Sequence, residues 1–356
     1  MKTHIAQNTS ILRLSLKTLK TYCTILNGIL MRFGIAPIQW NWYWDWTVKE
    51  TLIAEKLGFS FIWILEHHGR EDMYYPSPLI ALASLASVTK SVELGSCVLI
   101  LPLYHPVHVA EDSAMVDVIS GGRLILGVGL GYVKEEYNLF QTPMKDRGKR
   151  MTESLILIRK LWTEPVVNFK GTFFDVRNFS LQPKPLRKPH PPIWVGGWSD
   201  QALKRAAELG DAWFIGPVGA FSDVKNSYLK YVNALKKLDK KLERLPLVRE
   251  IYVAERSDEA YEKAVKYIGG MYFKDYVSWG HPLVEGAKSF EDIAKDRFII
   301  GSPDDCISQI ERFSRELKIT DMIFRVHYPG MSLDEGLNVI RLIAEKIKPY
   351  FEELKS

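Results

Sequence analysis

The chain has 356 residues, 47% of them hydrophobic and 25% charged, an ordinary globular composition long enough for one large barrel or two medium domains. Its net charge is +5, but residues 1–30 hold Lys2, Arg13, Lys17 and Lys20 and no acid, so the rest of the chain carries only +1 (5 − 4) and offers no basic stripe for nucleic acid. Cys23, Cys97 and Cys306 lie far apart, which excludes a disulfide framework or a thiolate metal site and fits a reducing cytoplasm; no run of about 18 apolar residues offers a membrane span.

Residues 1–30 lack the uninterrupted apolar core and small-residue cleavage site of a secretory signal. They are read as a leader or a mis-assigned start outside the fold, with one domain over 31–356. The first convincing strand is 31–37 (MRFGIAP). Further strands are expected at 60–66, 92–101, 123–129, 192–196, 212–216, 247–254 and 321–327, each apolar on successive residues as in strands buried on both faces.

Helix signals fall between them. Thr47 and Glu50 have capping-box spacing and Gly58 would close that helix. Ser77-Pro78, His105-Pro106 and Ser302-Pro303 place proline at a first helical position, and Ser199 would cap the helix after strand five. Residues 163–190 read as a hairpin turning near Lys170-Gly171, and 267–297 as a lid or insertion without clean periodicity. Eight strands with intervening helices and no linker predict an α/β fold, a (β/α)8 TIM barrel with insertions at its C-terminal rim; an open doubly wound sheet is the alternative.

Glu66, His67 and His68 end strand two, on the rim where such barrels place their chemistry. Adjacent strand residues face opposite ways, so His67 is taken as the ligand-facing, catalytic member, with an imidazole able to move a proton near neutral pH; loop-closing hydrogen bonds are an equally good account of the trio. Tyr104, His105 and His108 lack the carboxylates or thiolates a metal needs, so no metal site is expected: His105 reads as a cap and Tyr104 as a pocket residue. Gly127, Gly129 and Gly131 do not match a dinucleotide fingerprint and suit either a flat ligand or tight strand packing. Arg147, Arg150 and the turn Gly196-Gly197-Trp198-Ser199 could bind an anion through a guanidinium fork and a helix start, although surface arginines explain the first two as well. Trp40, Trp42, Trp44 and Trp46 crowd the first rim loop, as a wall for an apolar substrate or as lid packing.

The segments WILEHH, GSCVLILPLYHPVHVAED, ISGGRLILGVGLGY, RGKRMTESLILIRKLW and PPIWVGG, in that order, resemble the bacterial-luciferase-like flavin monooxygenases from about Met31 to the C-terminus. The resemblance implies a (β/α)8 barrel, often a homodimer, that takes reduced FMN from a separate flavin reductase and activates dioxygen as a flavin hydroperoxide. It implies that His67 is the histidine this chemistry needs. Cys97 and Val98 would form a bulge under the flavin ring with a non-prolyl cis peptide, Leu130 and Gly131 would lie beside the ring, and Arg147, Gly197, Trp198 and Ser199 near the phosphate. Trp40, Trp42, Trp44, Glu66, His68 and Tyr104 would face a small apolar substrate such as an aldehyde. Gly129 stands where luciferase has its reactive cysteine, which argues against light emission. Members using a deazaflavin for hydride transfer, and flavin binding without turnover, are the alternative readings.

Overall fold

A computed structural model describes residues 31–40 and 43–353. Among them, β1 (Arg32–Ala36), β2 (Phe61–Ile64), β3 (Glu93–Ser96), β4 (Leu99–Ile100) and β5 (Leu124–Gly129) come first. A separate antiparallel hairpin follows, β6 (Val167–Lys170) and β7 (Asp175–Phe179), and then β8 (Ile193–Gly196), β9 (Ala212–Phe214), β10 (Pro246–Val253), β11 (Ile299–Gly301) and β12 (Asp321–Arg325). The parallel order runs β10-β12-β1-β2-β3-β5-β8-β9. Ile215, just past β9, bridges Leu247 of β10: its N–H donates to Pro246 O at 3.0 Å and its carbonyl accepts from Val248 N at 2.9 Å. That last pairing closes the ring, so the architecture is the barrel and not the open sheet.

Each expected barrel strand overlaps an observed one, β10 beginning one residue before the expected 247–254. The stretch 92–101 divides into β3 and β4, and the peptide bond between Cys97 and Val98, which lie between them, is cis. One strand was not foreseen: β11 pairs with the C-terminal half of β10, from Ile251↔Ile299 to Val253↔Gly301, and widens the rim. The hairpin turns at Gly171, whose N–H donates to Phe174 O. Residues 257–277 are helical in succession and then give way to turns, so the segment read as an insertion without periodicity begins as a helix. No helix among the described residues is long and apolar enough to cross a membrane.

Alternation along the strands divides the core into two layers. Phe61, Trp63, Ile125, Trp194, Phe214 and Ile323 fill the lumen, with Trp63 stacked on Trp194 at 5.0 Å and tilted against Phe214 at 4.7 Å. Ile62, Ile64, Leu94, Leu124 and Leu126 point outward to the helices. Lumen crowding dictates Gly95, because a Cβ there would stand 2.2 Å from the Trp63 ring. The glycine run at the end of β5 is settled the same way. A Cβ on Gly127 would meet Ser96 O at 1.9 Å, and one on Gly129 would meet the Val98 side chain at 2.4 Å, so tight strand packing requires both.

Pro78, Pro106 and Pro303 each open a helix as expected, and Gly58 follows its helix at φ +76°. The Thr47/Glu50 capping box is corrected. That helix starts at Trp44, so both side chains lie inside it and reach back to β1's end, Thr47 Oγ1 donating to Ile38 O at 2.5 Å and Glu50 Oε2 accepting from Ile38 N at 2.8 Å.

Candidate active site

The strand ends at the C-terminal rim carry the polar residues. Glu66 is buried and fully engaged: it accepts from Ile100 N at 2.8 Å and Tyr104 Oη at 2.7 Å, and pairs with His68 Nε2 at 2.6 Å. This cluster ties the end of β2 to β4 and turns the His68 ring outward against Phe140. His67 faces the other way, as strand alternation requires. Its Nδ1 lies 3.0 Å from Glu136 Oε1, which also accepts from His68 N at 3.0 Å. A carboxylate at Nδ1 places the ring proton there and leaves Nε2 as an acceptor; Nε2 has no hydrogen-bond partner among the described residues.

His67 borders a cavity of about 280 Å³. One wall is the cis Cys97–Val98 segment with Leu130 and Gly131, and Phe214 and Val248 rise from the lumen beneath. Burial pushes the Cys97 thiol up to about 12, so it stays protonated. At one end stand Arg147 and the turn Gly197-Trp198-Ser199. Ser199 Oγ accepts from Ala202 N at 3.2 Å and so caps the helix Asp200–Leu209, directing that helix's N-terminus at the cavity end. Arg147 donates through Nη1 to Met144 O, while its buried Nε has no partner among the described residues. The same end continues into an outer groove bearing Lys145, Lys149, Lys170 and Arg205. Its one carboxylate, Glu153, is occupied by the backbone N–H groups of Thr172, Phe173 and Phe174.

Aromatic residues also line the cavity, Tyr132 after β5 and Tyr276 and His281 from residues 267–297, with Trp279 at 5.2 Å from the His67 ring. Burial raises both tyrosine hydroxyls, and burial with the nearby Arg297 lowers His281 to about 4. The wall therefore holds neutral donors and acceptors. Arg70 fastens it, donating to Asp275 of the lid at 2.9 Å and to Asp72 at 2.5 Å while lying 5.0 Å from the Trp279 ring centre.

Residues 43–320 match the family described as luciferase-like monooxygenase. The chain belongs to that family. The oxygenase component of a flavin-dependent trigonelline monooxygenase from Acinetobacter baylyi is 26% identical over 332 residues, 88% of this chain and 91% of the relative. An F420-dependent glucose-6-phosphate dehydrogenase from Amycolatopsis mediterranei is 27% identical over 80% of this chain and 88% of its own. Among solved structures, the monooxygenase RslO1 from Streptomyces bottropensis superposes with TM-score 0.80 at 26% identity, over 90% of this chain and 100% of that one.

In this luciferase-like chain the eight residues expected around a flavin, Cys97, Val98, Leu130, Gly131, Arg147, Gly197, Trp198 and Ser199, line one cavity together with His67 and Glu66. His68 and Tyr104 stand one layer back, on Glu66. Trp40 is buried against Tyr74 and His327, and Trp44 lies against Tyr75, so neither reaches the cavity. Trp42 lies outside the described residues. Arg150 is spent on Pro102 O and the Phe173 and Phe174 rings. Sequence reasoning missed Glu136, Tyr132, Tyr276 and His281. Tyr132 was within reach, since it ends the ISGGRLILGVGLGY segment and follows the glycines.

Proposed function

We propose that the chain is the oxygenase of a two-component flavin monooxygenase, taking reduced FMN from a separate reductase and acting with dioxygen on a small organic substrate. The observation that carries the reading is the Glu136–His67 pair, whose free Nε2 borders the cavity in which the eight expected flavin residues meet. The cavity's chemistry fits FMN. A slot of strand ends suits the isoalloxazine ring, and at the cationic end the unpartnered Arg147 Nε and the helix start before Ala202 suit a phosphate. Bound there, the reduced flavin supplies two electrons to dioxygen, one oxygen atom entering the substrate and the other leaving as water. The protein's residues hold the ring, keep water out with the aromatic wall and exchange a proton at His67 Nε2.

A cytoplasmic homodimer is the setting proposed. Ile80 on Pro78–Val88, and Met115 and Ile119 one turn apart on the adjacent helix Pro106–Ser120, are exposed apolar groups suited to a self-association face. The deciding assay offers the purified protein reduced FMN or reduced deazaflavin, each under air and under nitrogen. Substrate conversion with FMN that requires air is expected. Anaerobic hydride transfer from the deazaflavin, or flavin binding with no conversion, would replace this reading.

A further inference from the structure

The side of the cavity away from the strand ends is built from aromatic rings. Tyr132 and Tyr276 line it at 6.3 Å between centres and 31° between planes, and His281 stands edge-on to both, at 5.2 and 6.0 Å. Trp279 backs the row, 5.9 Å from Tyr132 and 5.2 Å from His67. The aliphatic lining groups Val98, Ile100 and Val248 come from the strands and the segment between β3 and β4, Leu130 and Tyr132 from the turn after β5, and Tyr276 and His281 from residues 267–297. A ligand lying over a flavin would thus have the flavin on one face and aromatic rings on the other, an arrangement that rewards a flat ring through offset and edge-to-face contacts more than a flexible chain.

Charge is compensated on this wall. Arg70 is paired with Asp72 and Asp275, Arg325 with Glu250 at 3.2 Å, and burial keeps His281 neutral near pH 7. An anionic ring would find no cation free beside it on this wall. Two acceptors do remain open. Glu136 lines the cavity and its buried Oε2 has no partner among the described residues, and His67 Nε2 has none either. Glu66, the other carboxylate lining the cavity among the described residues, has both oxygens occupied. A buried carboxylate oxygen without a donor is unfavourable, and a ligand N–H or O–H removes the penalty.

We propose that the substrate class of this site is a non-anionic aromatic ring bearing a hydroxyl or N–H donor directed at Glu136 and His67, not an unbranched aldehyde. The proposal rests on the flavin-oxygenase reading for the placement of the flavin. An aldehyde chain brings no donor to the Glu136 oxygen and no ring to Tyr132 and Tyr276.

The test is calorimetric titration of the full chain preloaded with FMN, using 4-propylphenol, its methyl ether and octanal as probes. The phenol should bind roughly tenfold tighter than either of the others. In Tyr132→Leu the phenol's advantage over octanal should shrink several-fold while FMN affinity holds. In Glu136→Gln the amide oxygen can keep the His67 proton while the amide nitrogen replaces the free acceptor with a donor, so the preference for phenol over ether should vanish or reverse. Failure of FMN to bind would sink the flavin reading itself. FMN binding with octanal equal to or tighter than the phenol, or a phenol-to-ether ratio unmoved in Glu136→Gln, would overturn the substrate assignment alone.

Discussion

Two adjacent histidines on one strand end have opposite employment, and the difference lies in what their nitrogens touch. His67 gives Nδ1 to Glu136 and leaves Nε2 open at the cavity, whereas His68 gives Nε2 to Glu66 and lies on Phe140. His67→Ala should therefore fold, bind FMN and melt close to wild type, yet turn over about 100-fold more slowly, the scale of losing a positioned acid–base group. His68→Ala should slow turnover less, because its Nε2 is already taken by Glu66. Steady-state rates and melting curves for both variants check this; a wild-type rate in His67→Ala removes the catalytic assignment. The sequence made His67 legible because its value comes from position, the end of an apolar strand. Glu136 was not legible, since it meets His67 only after 69 residues of chain have folded back, and nothing in KEEYNL distinguishes it from a solvated helix carboxylate.

Among the elements, the lid shows most plainly how packing sets chemistry. His281 is half-buried against Tyr132 and Tyr276, and its partial burial with Arg297 nearby lowers its pKa to about 4, against 6.5 for an ordinary imidazole. Between those values the unfolded chain binds a proton that the folded one refuses, so stability rises with pH across this window; the neutral ring's contribution is whole above about pH 6.5 and drains away as the pH falls toward 4. Melting temperature should accordingly fall more steeply between pH 6.5 and 4 in wild type than in His281→Phe. Parallel slopes for the two proteins would mean that His281 is not held neutral by the fold. Periodicity could not foresee this packing, because residues 278–286 leave the helix and Trp279 is placed by partners elsewhere, Tyr132 after β5 and Arg70 after β2. Elements with local signals fared better: three Pro-led helices and the β6–β7 hairpin stand where turn chemistry placed them. Thr47 and Glu50 had the spacing of a cap, but with the helix starting at Trp44 they satisfy the backbone of Ile38 instead. β11 escaped notice because three residues are too short to carry an alternation.

For the whole molecule, the barrel was readable because eight doubly buried strands each announce themselves, while its closure at Ile215↔Leu247 is a tertiary event. Two surface statements follow. If Ile80, Met115 and Ile119 form a face between copies, Met115→Glu with Ile119→Glu should convert a dimer to a monomer by light scattering without lowering FMN affinity; an unchanged mass places the interface elsewhere. The second concerns residues 1–30, which lie outside the described residues. What β1 needs to join the barrel begins at Arg32: its N–H donates to Thr320 O at 3.0 Å, its register with β12 runs from Arg32↔Asp321 to Ala36↔Arg325, and its guanidinium reaches Asp321 at 2.9 Å and Glu93 at 2.7 Å. Those bonds tie the first strand to β12 and β3, and among the described residues the cavity lining begins at Leu65. A chain beginning at Met31 should thus match the full-length protein in solubility, melting temperature and FMN affinity. Loss of any one of the three in the shortened chain would show that residues 1–30 belong to the working fold.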